Sequence, residues 1–499
     1  MTELTKFRAD VLIIGSGLTG AVVAQSVREN LPSASIIMID SGPELAGGPG
    51  VHVHETEPAA PHDTVPAPSF YKGATVATEG NNGRPVPGMN SLGALGNDAS
   101  QMPAAALAWN TGGMSVHWTG ATPTPWGAEV PAYLDAWQWR ADLAKAGKLL
   151  KVNLDPYGTS PALRTLRSAL GSAYDKVSAP GRRVQAMPMA WTLTRNGGYR
   201  HVGPSTVFEA MVTAKDPRFT LLSSMLATSL DHDGQRVGGI FVRDLATGLA
   251  DRLEARVTVI CADAFRTPQL LYASGIRPAA LGKFLNEHAI LGGSVLADLH
   301  RLKLPADTMP RRPAGERYAA LHWMPHSGPE QPFHGVFFDS AVAGAEGDFP
   351  SYRVGLSIYI PTESREENQL VFSDREQDSV GMPQIEVRFS LSGPDIALVN
   401  QARVAQERIA GHVGQFDPVK DSGLLPAGSS LHCTGTVRMG ADDGTSVCDR
   451  RTRVWGYDNL FLAGCGVIPT SMACNVTLAA AVNAVIAARE AVTFLDAQN

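Results

Sequence analysis

The apolar run Val11-Leu-Ile-Ile14 passes without a break into Gly15-x-Gly17-x-x-Gly20. An apolar run that does not alternate marks a strand buried on both faces, and such strands belong to parallel sheets covered by helices on either side. The glycines then dictate the next step. A turn this tight leaves no room for side chains, the third glycine lets a helix lie close on the strand, and the amides at the helix start face outward to hold a pyrophosphate. A helix is expected over residues 18–29 and a second strand over 35–40, ending on Asp40, where an acid can accept hydrogen bonds from ribose hydroxyls. Strand, turn, helix and strand make one right-handed βαβ unit for a dinucleotide. The motif alone does not separate FAD from NAD.

Residues 47–103 lose this periodicity and fill with Gly, Pro, Asn and Ser. A loop of that length inside a compact protein is either a functional lid or a solvated excursion. As a lid it has hinges at Gly80, Gly83 and Gly88, and apolar faces in Phe70, Tyr71 and Met89. Further on, helical patterns occupy 131–151, 269–274, 394–411 and 476–494, with a helix end at 208–213. Alternating runs at 219–230, 236–245 and 251–261 read as an antiparallel meander. Strand-like runs at 336–341, 352–360, 370–373 and 385–390 read as a separate, largely antiparallel sheet. Residues 459–488 carry no charge and exceed the ~20 residues of a membrane span. Gly464, Pro469 and Asn475 interrupt them, so strand, loop and buried helix is the better parse.

Lys plus Arg total 42 against 48 for Asp plus Glu, with no basic run, which argues against nucleic acid as a partner. The five cysteines are an odd number without a CxxC pair, and residues 1–10 offer no secretory signal, so a reducing, cytoplasmic location is expected. His52-Val-His-Glu-Thr-Glu57 alternates imidazole and carboxylate, and would turn them to one face of a strand; without a third cluster it reads as a solvated loop, and no metal is expected.

Three other places carry chemistry. His117 stands in Gly112-Gly-Met-Ser-Val-His-Trp-Thr-Gly120, where paired glycines let the backbone approach a flat ring. His432 stands in Ser430-Leu-His-Cys-Thr-Gly-Thr-Val-Arg-Met-Gly440, and Asn475 just before the final helical pattern. A neutral imidazole can accept a hydroxyl proton, and an amide can hold the same hydroxyl without titrating. Asn475 also fits an N-cap, and His432 an ordinary loop residue.

Together these segments resemble the glucose-methanol-choline family of FAD-dependent oxidoreductases over nearly the whole chain. The likeness takes in the glycine motif, Thr267-Pro-Gln-Leu-Leu-Tyr-Ala-Ser-Gly-Ile276, residues 281–288, and the stretch from His432 through Arg453-Val-Trp-Gly-Tyr-Asp-Asn-Leu460 to Leu478. Within the family, Ser115-Val-His-Trp-Thr119 and Ala463-Gly-Cys-Gly-Val-Ile-Pro-Thr470 are similar to the pyranose oxidase branch. The resemblance implies an α/β fold, with a Rossmann-like FAD-binding domain (1–130, 190–290, 431–499) and an α+β substrate domain on a largely antiparallel sheet (131–189, 291–430). It implies His432 as base and Asn475 as its partner. FAD would be held by Gly15, Gly17, Gly20 and Asp40, by Gly112, Gly113, Met114, Trp118 and Thr119, and by Gly464, Cys465 and Thr477. His117 is the position from which fungal members bind flavin covalently.

Val476 stands where the family usually has proline, and Val116 where the branch has threonine. The chain is shorter than fungal pyranose 2-oxidases, which favours bacterial glycoside 3-oxidases. The implied reaction oxidises a ring hydroxyl of a sugar or glycoside, C3 before C2, with dioxygen as acceptor. Its rivals are a dehydrogenase using a quinone, a flavin-bound scaffold without turnover, and an NAD-dependent dehydrogenase.

Overall fold

A computed structural model of the chain describes residues 8–55, 75–77, 85–96, 99–154, 161–193, 199–304, 321–329, 331–341 and 352–498. β1 (Arg8–Ile14) and β2 (Ile36–Ile39) run parallel, Val11 opposite Ile36 and Ile14 opposite Ile39, and α1 (Leu18–Asn30) joins them. The unbroken apolar run has a direct cause. Val11 and Ile13 pack under α1 and the helix Thr477–Asp496, while Leu12 and Ile14 pack on the opposite face against Leu270 and Leu271.

The strand Ala250–Ile260 lies parallel to β1. Through residues 250–254 it pairs antiparallel with Val237–Asp244, and through 258–260 it pairs parallel with Leu460–Leu462. The run 219–230 is not one strand of the meander. Phe219–Leu222 pairs parallel with β2 at the far edge of the sheet, and Met225–His232 pairs with Val237–Asp244. The chain changes sides at Ser224, whose φ of 58° places it in the left-handed region. Apolar residues recur on both sides of the switch, so the sequence pattern hides it.

The helix Thr477–Asp496 is the one helix among the described residues long and apolar enough to cross a membrane, and it is buried in the core against α1. α2 (Ala136–Leu149) adds Trp139 and Ala146 to that same core, although the sequence division puts it with the substrate part.

The second sheet is antiparallel, in the order Gly414–Gln415, Ala289–Ala297, Tyr352–Ile360, His334–Ala341, Leu321–Met324, Gln185–Ala186, with the helix Gly393–Val413 packed on it. Two expected members are absent from it. Gln369–Gln377 and Pro383–Arg388 form their own ribbon, whose Leu370, Ile385 and Val387 bury against Leu92, Leu95 and Phe265. The strand Ala289–Ala297 was not expected, because Gly292 and Gly293 break its apolar pattern.

Within that expected loop, residues 85–96 and 99–103 hold packed structure. Pro85–Ser91 pairs with Ala106–Ala108, and Leu92, Leu95 and Met102 are fully enclosed. Apolar residues spaced irregularly between glycines and prolines escape a periodicity test. Phe70, Tyr71, Gly80 and Gly83 lie outside the described residues.

Candidate active site

The glycine turn is fixed by packing. A Cβ on Gly15 would stand 2.6 Å from the Cys261 carbonyl oxygen, and one on Gly20 only 2.0 Å from the Gly15 oxygen. Gly17 differs, with 3.7 Å to the Gly112 oxygen, so the floor of the turn stays open. Ser16 ties the turn to its surroundings. Its N–H and hydroxyl donate to Asp40 Oδ2 at 2.9 and 2.6 Å, and its Oγ accepts from the Gly112 N–H at 2.8 Å. Gly42 N–H donates to Asp40 Oδ1 at 2.8 Å. Asp40 thus already serves its own chain while it also lines the cavity. Burial pushes its pKa up, with the Asp263 carboxylate adding to the rise.

His117 follows the short helical turn Gly113–Val116. Its Nε2 lies 3.0 Å from Asn110 Oδ1. Asn110 Nδ2 donates to the carbonyls of Thr111 and Gly113 at 3.1 and 3.3 Å, which leaves Oδ1 as the acceptor and puts the proton on His117 Nε2.

His432 is delivered by a loop in which Leu431 has φ of 57°. The His432 N–H donates to Ser430 Oγ at 3.1 Å, and the Ser430 hydroxyl donates to Glu287. His432 Nδ1 lies 2.9 Å from His288 Nε2, and His288 Nδ1 lies 3.2 Å from the Met472 carbonyl. Burial lowers the pKa of His432 to about 4, so the ring is neutral at ordinary pH.

Asn475 is buried, and its Oδ1 has no hydrogen-bond partner among the described residues. It is not the helix cap. Val476 occupies that position, and no side chain caps the helix that begins at Thr477. The loop before Asn475 hangs on Glu129, which sequence reasoning did not single out because no motif surrounds it. Glu129 Oε1 accepts from the N–H groups of Ala473 and Cys474 at 2.8 and 2.9 Å, and the Glu129 carbonyl accepts from the Thr470 hydroxyl at 2.7 Å.

One cavity of about 700 Å³ takes in Gly15, Gly17 and Asp40 together with His432 and Asn475. Gly113, Met114, His117, Trp118 and Thr119 line it, as do Gly464, Cys465 and Thr477. Gly20 and Gly112 stand behind the wall. Asp263 and Tyr359 line it without having been anticipated; burial raises the Tyr359 hydroxyl to about 12.

The histidine-rich segment is a short helical turn, Val53–Glu55, and not a strand or a solvated loop. His52 Nε2 donates to the Trp118 carbonyl at 2.8 Å and its ring stacks on His201 at 4.2 Å, while Glu55 faces His201 Nδ1 at 3.0 Å. His52 thus braces the Trp118 backbone, and His201 backs His52. Glu57 lies outside the described residues. Arg438 holds its guanidinium 4.4 Å over the Phe284 ring and is not part of the cavity wall.

A largely parallel sheet covered on both faces, a glycine turn at a helix start, and a neutral imidazole sharing its cavity with a buried amide fit a dinucleotide-dependent oxidoreductase. Family models described as GMC oxidoreductase match residues 181–290 and 364–484. The chain is 36% identical to a C-glycoside 3-oxidase of Microbacterium trichothecenolyticum, over 98% of this chain and 97% of that protein. It is 27% identical to a pyranose 2-oxidase of Tricholoma matsutake, over 97% of this chain and 94% of that one. A solved structure of pyridoxine 4-oxidase from Mesorbium loti has the same fold, with a TM-score of 0.65 at 19% identity, covering 96% of this chain and 98% of the other. The chain belongs to the GMC oxidoreductase family.

Proposed function

We propose that this protein is an FAD-dependent oxidase that converts a secondary ring hydroxyl of a pyranose glycoside, C3 first and C2 next, to a ketone. The observation that carries the reading is the pairing, in one cavity with the glycine turn, of an imidazole kept neutral and an amide oxygen left without a partner. An unpaired buried acceptor costs about 1–3 kcal/mol, and a substrate hydroxyl relieves that cost. The choice of C3 follows the two relatives, since identity to the C-glycoside 3-oxidase exceeds that to the pyranose 2-oxidase.

The residues present fit FAD. The α1 amides and the open floor at Gly17 suit the pyrophosphate, Asp40 suits the ribose, and residues 113–119 with Gly464, Cys465 and Thr477 suit the flavin. FAD bound there would supply a hydride acceptor at N5 and a route for two electrons to dioxygen. His432 removes the carbinol proton as the carbon–hydrogen bond gives up its electron pair, and Asn475 holds the oxygen in line.

In this reading FAD would be held without a covalent bond. His117 Nε2 spends its proton on Asn110 and offers no lone pair to a flavin methyl group, and Nδ1 is enclosed. Acid precipitation tests this: a colourless pellet under a yellow supernatant is expected, and a yellow pellet refutes it. The reaction is tested by NMR of the product from glucose and from a C-glycoside under air. A 3-keto glycoside with one equivalent of peroxide is expected. Turnover that needs a quinone overturns the oxidase reading, and no sugar product overturns the substrate class.

A further inference from the structure

We propose that His288 is a positioning residue that keeps the proton of His432 on Nδ1, so that Nε2 is left bare as the base. The inference rests on the reading of His432 as the base.

The chain of contacts has one fixed end. The Met472 carbonyl can only accept, so the ring nitrogen facing it at 3.2 Å, His288 Nδ1, carries a proton. A neutral His288 then has no proton on Nε2. The nitrogen that meets it at 2.9 Å, His432 Nδ1, must therefore be the donor. His432 is neutral as well, and its Nε2 keeps a lone pair. The reverse polarity would put protons on both nitrogens of His288, a cation in a fully enclosed site, which burial and the neighbouring His432 disfavour. In the other tautomer of His432, Nδ1 would face a second lone pair and Nε2 would present a hydrogen to the substrate hydroxyl, so no proton could be taken.

His288 is held rigidly enough to do this. It is 3% exposed, and its ring meets those of Tyr359 and His432 edge to face, each at 4.9 Å. Its neighbour Glu287 accepts from the Ser430 hydroxyl and the Gly428 N–H. Two consecutive residues just before the strand Ala289–Ala297 thus place both the loop that carries His432 and the ring itself. As His432 takes the substrate proton, the Nδ1–H bond to His288 becomes a bond from a cation, about twice as strong as its neutral counterpart. The positive charge is met by a neutral acceptor that moves little.

The test uses FAD-loaded enzyme labelled with ¹³C and ¹⁵N in histidine, with the His432 signals assigned as those lost in His432→Gln. Wild type is expected to show the Nδ1–H tautomer. In His288→Leu, the Nε2–H form should appear and anaerobic flavin reduction should fall on the order of 10²-fold, with KM and FAD content kept. His288→Gln supplies a carbonyl acceptor and should restore most of the rate. An Nε2–H tautomer in wild type overturns the proposal, as does wild-type reduction by His288→Leu. Should the leucine variant not fold, the wild-type tautomer decides by itself. Undiminished flavin reduction in His432→Gln is a separate result, which removes the base assignment while the tautomer measurement still stands.

Discussion

Flavin reduction should survive acid that would silence an ordinary histidine base. A free imidazole titrates near 6.5, and burial brings His432 to about 4, a displacement worth about 3 kcal/mol against charging the ring. At pH 5 a base with the lowered value is about nine-tenths neutral, whereas one at 6.5 is about 3 % neutral, so the predicted rates differ about 30-fold. The same shift works against stability. The unfolded chain takes the proton near pH 6.5 and the folded chain only near pH 4, so the unfolded state holds more protons between those values. Stability therefore falls as pH drops from about 6.5 to about 4 and levels off below, by up to about 3 kcal/mol from this group, and His288 adds in the same direction. The assay is anaerobic stopped-flow flavin reduction at saturating sugar from pH 4.5 to 8, with melting temperature measured alongside. A rate that drops with an apparent pKa near 6.5 refutes the account of a desolvated base.

Asn475→Ala should slow flavin reduction at least tenfold without lowering the melting temperature, because the residue is not the cap of Thr477–Asp496 and its amide oxygen has no partner to lose; a loss of about 1 kcal/mol in stability would return it to a capping role. Glu129→Ala leaves the amides of Ala473 and Cys474 without an acceptor and should cost about 1–3 kcal/mol of stability as well as activity, while Glu129→Gln, which keeps an acceptor oxygen, should recover most of both; thermal melts and turnover decide. Gly20→Ala drives a methyl into the Gly15 carbonyl and should cost about 1–3 kcal/mol with loss of bound FAD; unchanged melting and flavin content would mean that α1 shifts freely.

What the sequence displays is the part of the fold written in near neighbours. β1, the glycine turn, α1 and β2 lie within about thirty residues, and their periodicity is uninterrupted by function. His432 and Asn475 are legible only through family resemblance, since each has an ordinary local explanation. The roles of His288 and Glu129 are invisible in the sequence for a physical reason: each acts on a partner more than a hundred residues away, so spacing carries no trace of it. The edge strand Phe219–Leu222 is misassigned because alternation records which face is buried and not which neighbour pairs. The ribbon Gln369–Gln377 with Pro383–Arg388 fails in the same way, its strands correctly placed but assigned to the wrong sheet. The packing of residues 85–96 and 99–103 leaves no periodic trace, because glycine and proline read as a measure of solvation while Leu92, Leu95 and Met102 turn their apolar surface inside.

The nucleotide cradle is closed by the two most distant parts of the chain, since the helix Thr477–Asp496 covers α1 and Leu460–Leu462 completes the sheet that contains β1. During synthesis at ~5–20 residues per second, the apolar sides of β1 and α1 emerge some 20 to 90 s before the helix that covers them. No shorter nascent chain can bury Val11, Ile13, Val22 and Val23 in their final partners. The start of the chain thus waits with apolar surface bare, and its burial against residues 477–496 is among the last steps of folding during synthesis.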